Sequence, residues 1–259
     1  MSVFGRVKVY FGILLLLLVA TIAWLSFRAE TSEPIIHGKS LSRWLKGYQR
    51  NGDTIARDKL DQIIDAAGTN SIPTLLRLLR KNDSVFRQKL IKLARKQPLI
   101  SLRIVPAYRL QYEAALGFAR LGSAASNALP DLIKIYDENI SVSSRYWAIN
   151  SLGSVGASSS NTVPFLVKTL SNTNMEVRLS CIQSLQTIHA APELSVPALV
   201  DTLADQQGMV RYTSLLALGS FGEDAKPAKA VLTNLLNDPD RNVKQAATSL
   251  LNRLQQFKP

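Results

Sequence analysis

The sequence contains little of the chemistry that metal and redox sites need. It has one cysteine, Cys181, which excludes an internal disulfide framework. Because Cys181 stands at a small core position of the repeats described below, we expect a buried and inert thiol. The two histidines, His37 and His189, lie far apart without cysteines or paired acids at ligand spacing. With no phosphate-loop, dinucleotide or serine-nucleophile motif, we predict no cofactor and no catalytic residue.

Acidic residues are scarce in the first part of the chain only. The formal net charge is +12. Residues 29–110 contain 16 lysines and arginines against 7 acids, whereas residues 111–259 contain 12 of each. A nucleic-acid partner would need a basic groove along the domain, so this confinement argues against nucleic acid and indicates a local basic surface instead.

The sequence repeats itself at intervals of about 33 residues. The stretch MVRYTSLLALGSFG carries Arg211, and steps of 33 residues back lead to Arg178 and Arg145 at the head of similar runs. The seven runs begin at Arg57, Arg87, Gln111, Arg145, Arg178, Arg211 and Lys244. Within each run, apolar residues fall at the spacing of one face of an amphipathic helix.

Residues between the runs indicate where one helix ends and the next helix begins. A left-handed C-terminal cap suits the residues after four of the runs, which are Gly122, Gly156, His189 and Gly222. We place three later prolines in the first turn of a second helix, namely Pro130, Pro164 and Pro197. Helical hairpins of this kind cannot bury their apolar faces alone and therefore stack. The sequence predicts an all-α solenoid of stacked helical hairpins.

The stretch VPALVDTLADQQGMVRYTSLLALGSFG resembles the short bacterial HEAT-like repeats, the type also found in phycobilin lyases. The resemblance covers about residues 56–257. It implies the fold, and it implies that acidic and basic residues tie each turn to its neighbour. It carries no catalytic residue across, so a lyase or related enzyme stays an alternative on repeat type alone.

Residues 9–27, VYFGILLLLLVATIAWLSF, contain no charge. A helix of this length spans about 28 Å, enough to cross the hydrocarbon core of a bilayer. We predict, in order, a tail at 1–8, a single transmembrane helix at 9–27, a linker at 28–39, a capping helix at 40–55 and the HEAT-like solenoid at 56–259. Cleavage after Ala23 as a signal peptide is the alternative.

Basic residues lie on both sides of this segment. Arg6 and Lys8 precede it, whereas Arg28, Lys39 and Arg43 follow it. Because folded domains are exported largely regardless of their charge, we place the short tail inside and the repeat domain outside the cytoplasmic membrane, in a periplasmic or extracytoplasmic position. A reversed topology would favour a cytoplasm-facing nucleic-acid or chaperone module.

Aromatic residues recur beside the first residue of several runs. Tyr112, Tyr146 and Tyr212 directly follow it, and Trp147 stands next to Tyr146. The resemblance places these helices on the concave wall, and tyrosine, tryptophan and arginine supply much of the binding energy at protein interfaces. The predicted partner-binding residues are Tyr112, Arg145, Tyr146, Trp147, Arg178, Arg211 and Tyr212. Alternatively, the arginines form a structural ladder and the tyrosines cover the seams between repeats.

The densest basic stretch is RLLRKNDSVFRQKLIKLARK. A helical projection separates an apolar face (Phe86, Leu90, Leu93 and Ala94) from a basic face that contains Lys89, Lys92, Arg95 and Lys96. Each cation close to anionic headgroups adds about 1 kcal/mol. We predict that these four basic residues contact anionic lipid or an acidic partner; a merely solvated face is the alternative.

These observations favour a non-enzymatic, membrane-anchored scaffold that binds a protein partner on its concave face and holds its basic end near lipid.

Overall fold

The computed structural model of the chain describes residues 33–47, 54–96, 105–156 and 161–257. The predicted tail and the predicted transmembrane segment lie outside these ranges. Within the ranges, no helix is long and apolar enough to cross a membrane.

A short hairpin and thirteen α-helices make up the regular structure of the described residues. The hairpin consists of β1 (Ile35–Ile36) and β2 (Lys39–Ser40). The helices are α1 (Leu41–Gly47), α2 (Thr54–Ala67), α3 (Ile72–Leu79), α4 (Val85–Lys96), α5 (Ala107–Leu121), α6 (Leu129–Asp137), α7 (Val142–Val155), α8 (Thr162–Thr169), α9 (Met175–Ile188), α10 (Pro192–Asp201), α11 (Gly208–Ser220), α12 (Lys229–Leu235) and α13 (Arg241–Gln255).

From α5 onward, long and short helices alternate and form two layers. The long helices α5, α7, α9, α11 and α13 pack against one another in sequence, and each of the last four also packs on the short helix before it. Apolar residues between the layers form two core clusters, one N-terminal and one C-terminal. The predicted all-α repeat solenoid is confirmed.

Polar caps fix where several long helices begin. The side chain of Ser141 accepts a hydrogen bond from the Ser144 amide at the start of α7. Asn174 and Asp240 accept from two amides each at the starts of α9 and α13. These bonds satisfy amides that have no partner inside the helix.

The predicted left-handed cap is confirmed at His189, which has φ 47° and ψ 46°. Gly122 and Gly222 also have positive φ angles, 53° and 57°, but Gly122 has ψ −137° and so is not in the left-handed helical region. The prediction is wrong at Gly156. Gly156 instead has φ −88° and ψ 0°. A Cβ atom there would lie 2.6 Å from Thr162 Cγ2, so this glycine allows the close approach of the next helix.

The prolines are confirmed in the first turn at two positions and wrong at the third. Pro130 and Pro164 are the second and third residues of their helices. Pro197 lies inside α10, because that helix begins five residues earlier at Pro192. Pro192 occupies the first helical position, where a missing amide hydrogen costs nothing.

The hairpin and α1 cover the start of the helical array. His37 and Gly38 form its turn with positive φ angles of 48° and 71°. Leu41 and Leu45 of α1 are fully buried. The Trp44 indole donates a 2.8 Å hydrogen bond to the Ile36 carbonyl. Helix α1 packs on α2 and α5, where a capping element is expected.

Candidate partner-binding surface

Two of the repeated arginines form ion pairs between successive turns. Arg178 donates from Nε and Nη2 to Asp205 at 2.7 and 3.0 Å. Arg211 binds Asp238 in the same bidentate way at 2.8 and 2.7 Å. The side chains of both arginines are only 12–13% exposed. These contacts satisfy both charges inside the solenoid.

Backbone contacts hold the aspartates of this ladder in place. Asp205 accepts a hydrogen bond from the Gln207 amide, and Asp238 accepts one from the Asp240 amide. The hydrogen bonds from Arg211 hold the pKa of Asp238 below its usual value, and the same bonds raise the pKa of Arg211. The ladder therefore includes the turn before each long helix.

Arg145 occupies the same repeat position, but no carboxylate of the described residues forms an ion pair with it. Asn172 stands where the later turns have aspartate. Arg145 donates to the Asn139 side chain at 3.0 Å and to the Tyr136 hydroxyl at 3.1 Å, and its guanidinium lies 4.6 Å from the Tyr136 ring centroid. Its buried Nε atom has no hydrogen-bond partner among the described residues. The Asn172 amide also donates to the Tyr136 hydroxyl.

Three of the predicted aromatic residues meet at the seam between α5 and α7. The Trp147 ring lies 5.1 Å from the Tyr112 ring and 4.8 Å from the Tyr146 ring, edge to face in both cases. All three side chains are half-buried. Burial, and after it the charge of Glu176, raises the pKa of Tyr146. Trp147 thus packs in the seam, and the tyrosines flank it.

Tyr212 lies apart from this aromatic group, on α11. Its half-buried side chain packs against the C-terminal core cluster. The same repeat position on α9 holds Leu179, which is also half-buried. The position is therefore apolar along four successive long helices.

The structure adds residues that the sequence pattern missed. Tyr108, Val142 and Leu216 are 49%, 47% and 47% exposed. Tyr108 and Val142 lie four residues before Tyr112 and Tyr146, and Leu216 lies four residues after Tyr212, so each pair shares one helix face. We call this row the long-helix stripe; it consists of Tyr108, Tyr112, Val142, Tyr146, Met175, Leu179, Tyr212 and Leu216.

An open groove of about 510 Å³ lies at the N-terminal end of the stripe. Its lining includes the side chains of Tyr108, Val142 and Ile91. Charged residues of both signs also line it, namely Asp83, Lys92 and Glu176.

Helix α4 carries the predicted basic face. Lys89 and Lys92 are exposed; the side chains of Arg95 and Lys96 lie outside the described set. Two residues of the predicted apolar face, Phe86 and Leu93, are 76% and 63% exposed, whereas Ile91 is buried.

Asp83 fixes α4 to the solenoid. It accepts hydrogen bonds from Arg87 Nε at 2.6 Å and from the Ala107 amide at 2.8 Å. Arg87 also donates to the Val105 carbonyl. These contacts join the first turn of α4 to the start of α5.

Cys181 and Glu113 are two of the buried ionisable groups among the described residues. Cys181 is fully buried, and burial raises the pKa of its thiol above the usual value. Glu113 on α5 is 3% exposed, and one of its oxygens has no hydrogen-bond partner in the described structure. Burial, opposed by the nearby charge of Arg109, raises its pKa to about 7. In the described ranges, no group of three or more His, Cys, Asp or Glu residues could hold a metal ion.

Part of the chain is similar to a known repeat family. Residues 163–252 match the family model for HEAT repeats. This part of the chain therefore resembles a HEAT-repeat array. The stacking of long helices continues N-terminally from it through α7 and α5.

Three of the solved structures that match this chain are of designed or engineered proteins. A designed armadillo repeat protein in complex with the peptide (KR)4 is 18% identical, with a TM-score of 0.46 over 83% of this chain and 100% of that chain. An engineered protein is 18% identical, with a TM-score of 0.43 over 76% and 97%. Another is 16% identical, with a TM-score of 0.44 over 85% and 68%. No curated protein matches the chain.

Proposed function

We propose that this protein is a scaffold that binds a protein partner along the long-helix stripe. The observation that carries the proposal is the row of partly exposed aromatic and aliphatic side chains on α5, α7, α9 and α11. Adjacent long helices place this row on a single face, so one extended or helical segment of a partner would contact several turns at once.

The chemistry of the stripe suits protein recognition. Tyrosine offers a large apolar body with a polar end at low conformational cost, and it is enriched at interface centres. Arg145 precedes Tyr146, and its Nε atom has no hydrogen-bond partner among the described residues, whereas Arg178 and Arg211 are paired within the ladder. The proposal therefore assigns the binding energy mainly to the tyrosines and their aliphatic neighbours.

The proposal includes a membrane tether. Residues 9–27 are long and apolar enough to serve as a single transmembrane helix, with the repeat domain outside the cytoplasmic membrane. The N-terminal part of the domain, which follows the tether in sequence, would then contact anionic lipid through its basic residues Lys89, Lys92, Arg95 and Lys96.

Stripe variants with a matched control test the binding surface. We expect Tyr108→Ala, Val142→Ser and Leu216→Ser, combined in one chain, to weaken capture of the partner at least about tenfold. Leu194→Ser is the control, because Leu194 is 45% exposed on α10 of the short-helix layer. If the folded triple variant captured the partner as well as the native chain does, the stripe would not be the binding surface. This conclusion would hold whether or not the triple variant also changed lipid contact.

An alkaline phosphatase fusion after Pro259 tests the topology. The enzyme is active only outside the cytoplasm, so the proposal predicts an active fusion. An inactive fusion that accumulates to normal levels would place the repeat domain in the cytoplasm and remove the extracytoplasmic part of the proposal.

A further inference from the structure

Helix α4 presents apolar side chains to its surroundings. Val85, Phe86 and Leu93 are 69%, 76% and 63% exposed. Phe86 and Leu93 are seven residues, or about two turns, apart and so lie on the same side of the helix. Ile91 on another side of the helix is 8% exposed and lines the groove that Tyr108 and Val142 also line. The exposed apolar edge therefore lies away from the side that Ile91 occupies.

Cations border this apolar edge. Lys89 and Lys92 are both exposed and fall between Val85 and Leu93 along the helix. Just before α4, burial and then the charges of Lys46, Arg77 and Arg87 lower the pKa of Lys81, and the charge of Asp83 opposes them. The two lysines next to the apolar edge favour a negatively charged surface.

We propose that α4 lies flat on an anionic bilayer, with Phe86 and Leu93 inserted at the boundary between headgroups and acyl chains and with Lys89 and Lys92 at the headgroups. This inference deepens the lipid contact of the proposed function and rests on it. A short helix with a lysine-rich edge and a Phe/Leu edge has the composition of interfacial helices that lie in the membrane plane.

The attachment of α4 supports a bilayer as its occupant. The first turn is fixed to α5 through Asp83 and Arg87, so the exposed edge keeps one orientation relative to the domain. Its two longest apolar side chains lie in a single line beside lysines. A planar lipid surface can accept these apolar side chains without a complementary pocket. Each lysine can also interact favourably with any anionic headgroup.

A spin label reports the depth of α4 in the whole chain. The full chain is reconstituted with phosphatidylcholine vesicles, with and without phosphatidylglycerol, and carries the label at Leu93→Cys. Leu216→Cys on α11 is the control, since Leu216 is also exposed and apolar. The native Cys181 is buried and does not take up the label. Accessibility to oxygen and to a water-soluble nickel chelate is then measured.

The inference predicts that label 93 becomes accessible to oxygen and protected from nickel only when phosphatidylglycerol is present. Label 216 should stay accessible to nickel in both vesicles. In a double variant with Lys89→Glu and Lys92→Glu, the protection of label 93 from nickel should weaken by about fivefold for each lysine removed. If label 93 stayed accessible to nickel in anionic vesicles, the inference would be overturned. It would also be overturned if label 93 remained protected from nickel in detergent, because self-association of the chain would then explain the protection. Partner capture by the stripe is a separate measurement and does not depend on either result.

Discussion

At the scale of single residues, Glu113 links stability to pH. Its carboxyl is buried without a full set of hydrogen bonds, and its pKa rises from 4.5 to about 7. The folded state therefore binds the proton more tightly than the unfolded state. The stabilisation that the protonated Glu113 carboxyl gives the folded state is fully present below pH 4.5 and is lost as the pH rises towards 7.

This shift predicts a pH-dependent effect of Glu113→Gln. The difference in unfolding free energy between the variant and the native chain should move in favour of the variant by about 3 kcal/mol between pH 4 and pH 8. Urea unfolding at a series of pH values measures it. Parallel stability curves over that window would contradict the buried, protonated state of Glu113.

Two substitutions at equivalent positions of the ladder test its ion pairs, because one removes a carboxylate and the other adds one. Asp205→Asn keeps the acceptor for the Gln207 amide but removes the charge that binds Arg178. Asn172→Asp places a carboxylate beside Arg145, whose Nε atom has no partner among the described residues. Because hydrogen bonds to charged groups contribute about 1.5–3 kcal/mol, the first change should destabilise the protein by about 2 kcal/mol.

The second change should stabilise the protein, by about 1 kcal/mol, because Arg145 already has neutral partners. Urea unfolding of both variants provides the measurement. If Asn172→Asp destabilised the chain as much as Asp205→Asn does, the two turns would not be equivalent, and the ladder would not extend to Arg145.

At the scale of helices, glycine sets how closely α7 and α9 pack. A Cβ atom at Gly153 would lie 2.8 Å from the Ser184 Cα atom, which belongs to the backbone of the neighbouring helix. A Cβ atom at Gly117 would lie 2.8 Å from a methyl group of Leu75, which is the end of a flexible side chain. The two glycines therefore differ in what an added methyl group must displace.

We expect Gly153→Ala to destabilise the fold and Gly117→Ala to have a much smaller effect. Alanine gains about 1 kcal/mol in helix propensity at either position, whereas overpacking against a backbone costs about 1–3 kcal/mol. The midpoint of urea unfolding compares the two variants. A larger loss for Gly117→Ala would show that the α5 contact, and not the α7–α9 contact, limits the spacing.

The sequence predicts some elements better than others for a physical reason. The 33-residue period identifies the long helices because the same apolar face recurs, and the cap at His189 follows from its place after the run. Periodicity does not show what covers an apolar face. It therefore does not reveal that Phe86 and Leu93 on α4 are exposed, or that α10 begins before Pro197.

The candidate surface was likewise predictable only in part. Tyr112, Tyr146 and Tyr212 stand out because they repeat beside the ladder positions. Tyr108 and Val142 do not repeat as a residue type, and only the helix geometry places them on the same face. Ion pairing of Arg178 and Arg211 with the following turn also needs the three-dimensional stacking.

At the scale of the whole molecule, the repeats convert short apolar faces into one extended surface. Each of the long helices α5, α7, α9 and α11 contributes only two stripe residues, but neighbouring helices align them across successive turns. The opposite, short-helix layer also has exposed apolar residues, such as Leu194. The account requires that the partner distinguishes between these two layers.

Site-specific photo-crosslinking tests this claim most directly. A benzophenone side chain is placed at Val142 on the stripe in one chain and at Leu194 on the short-helix layer in another, since the two positions are 47% and 45% exposed. The account predicts that one protein partner is crosslinked from Val142 and not from Leu194. Equal crosslinking from both positions, or crosslinking from Leu194 alone, would contradict it.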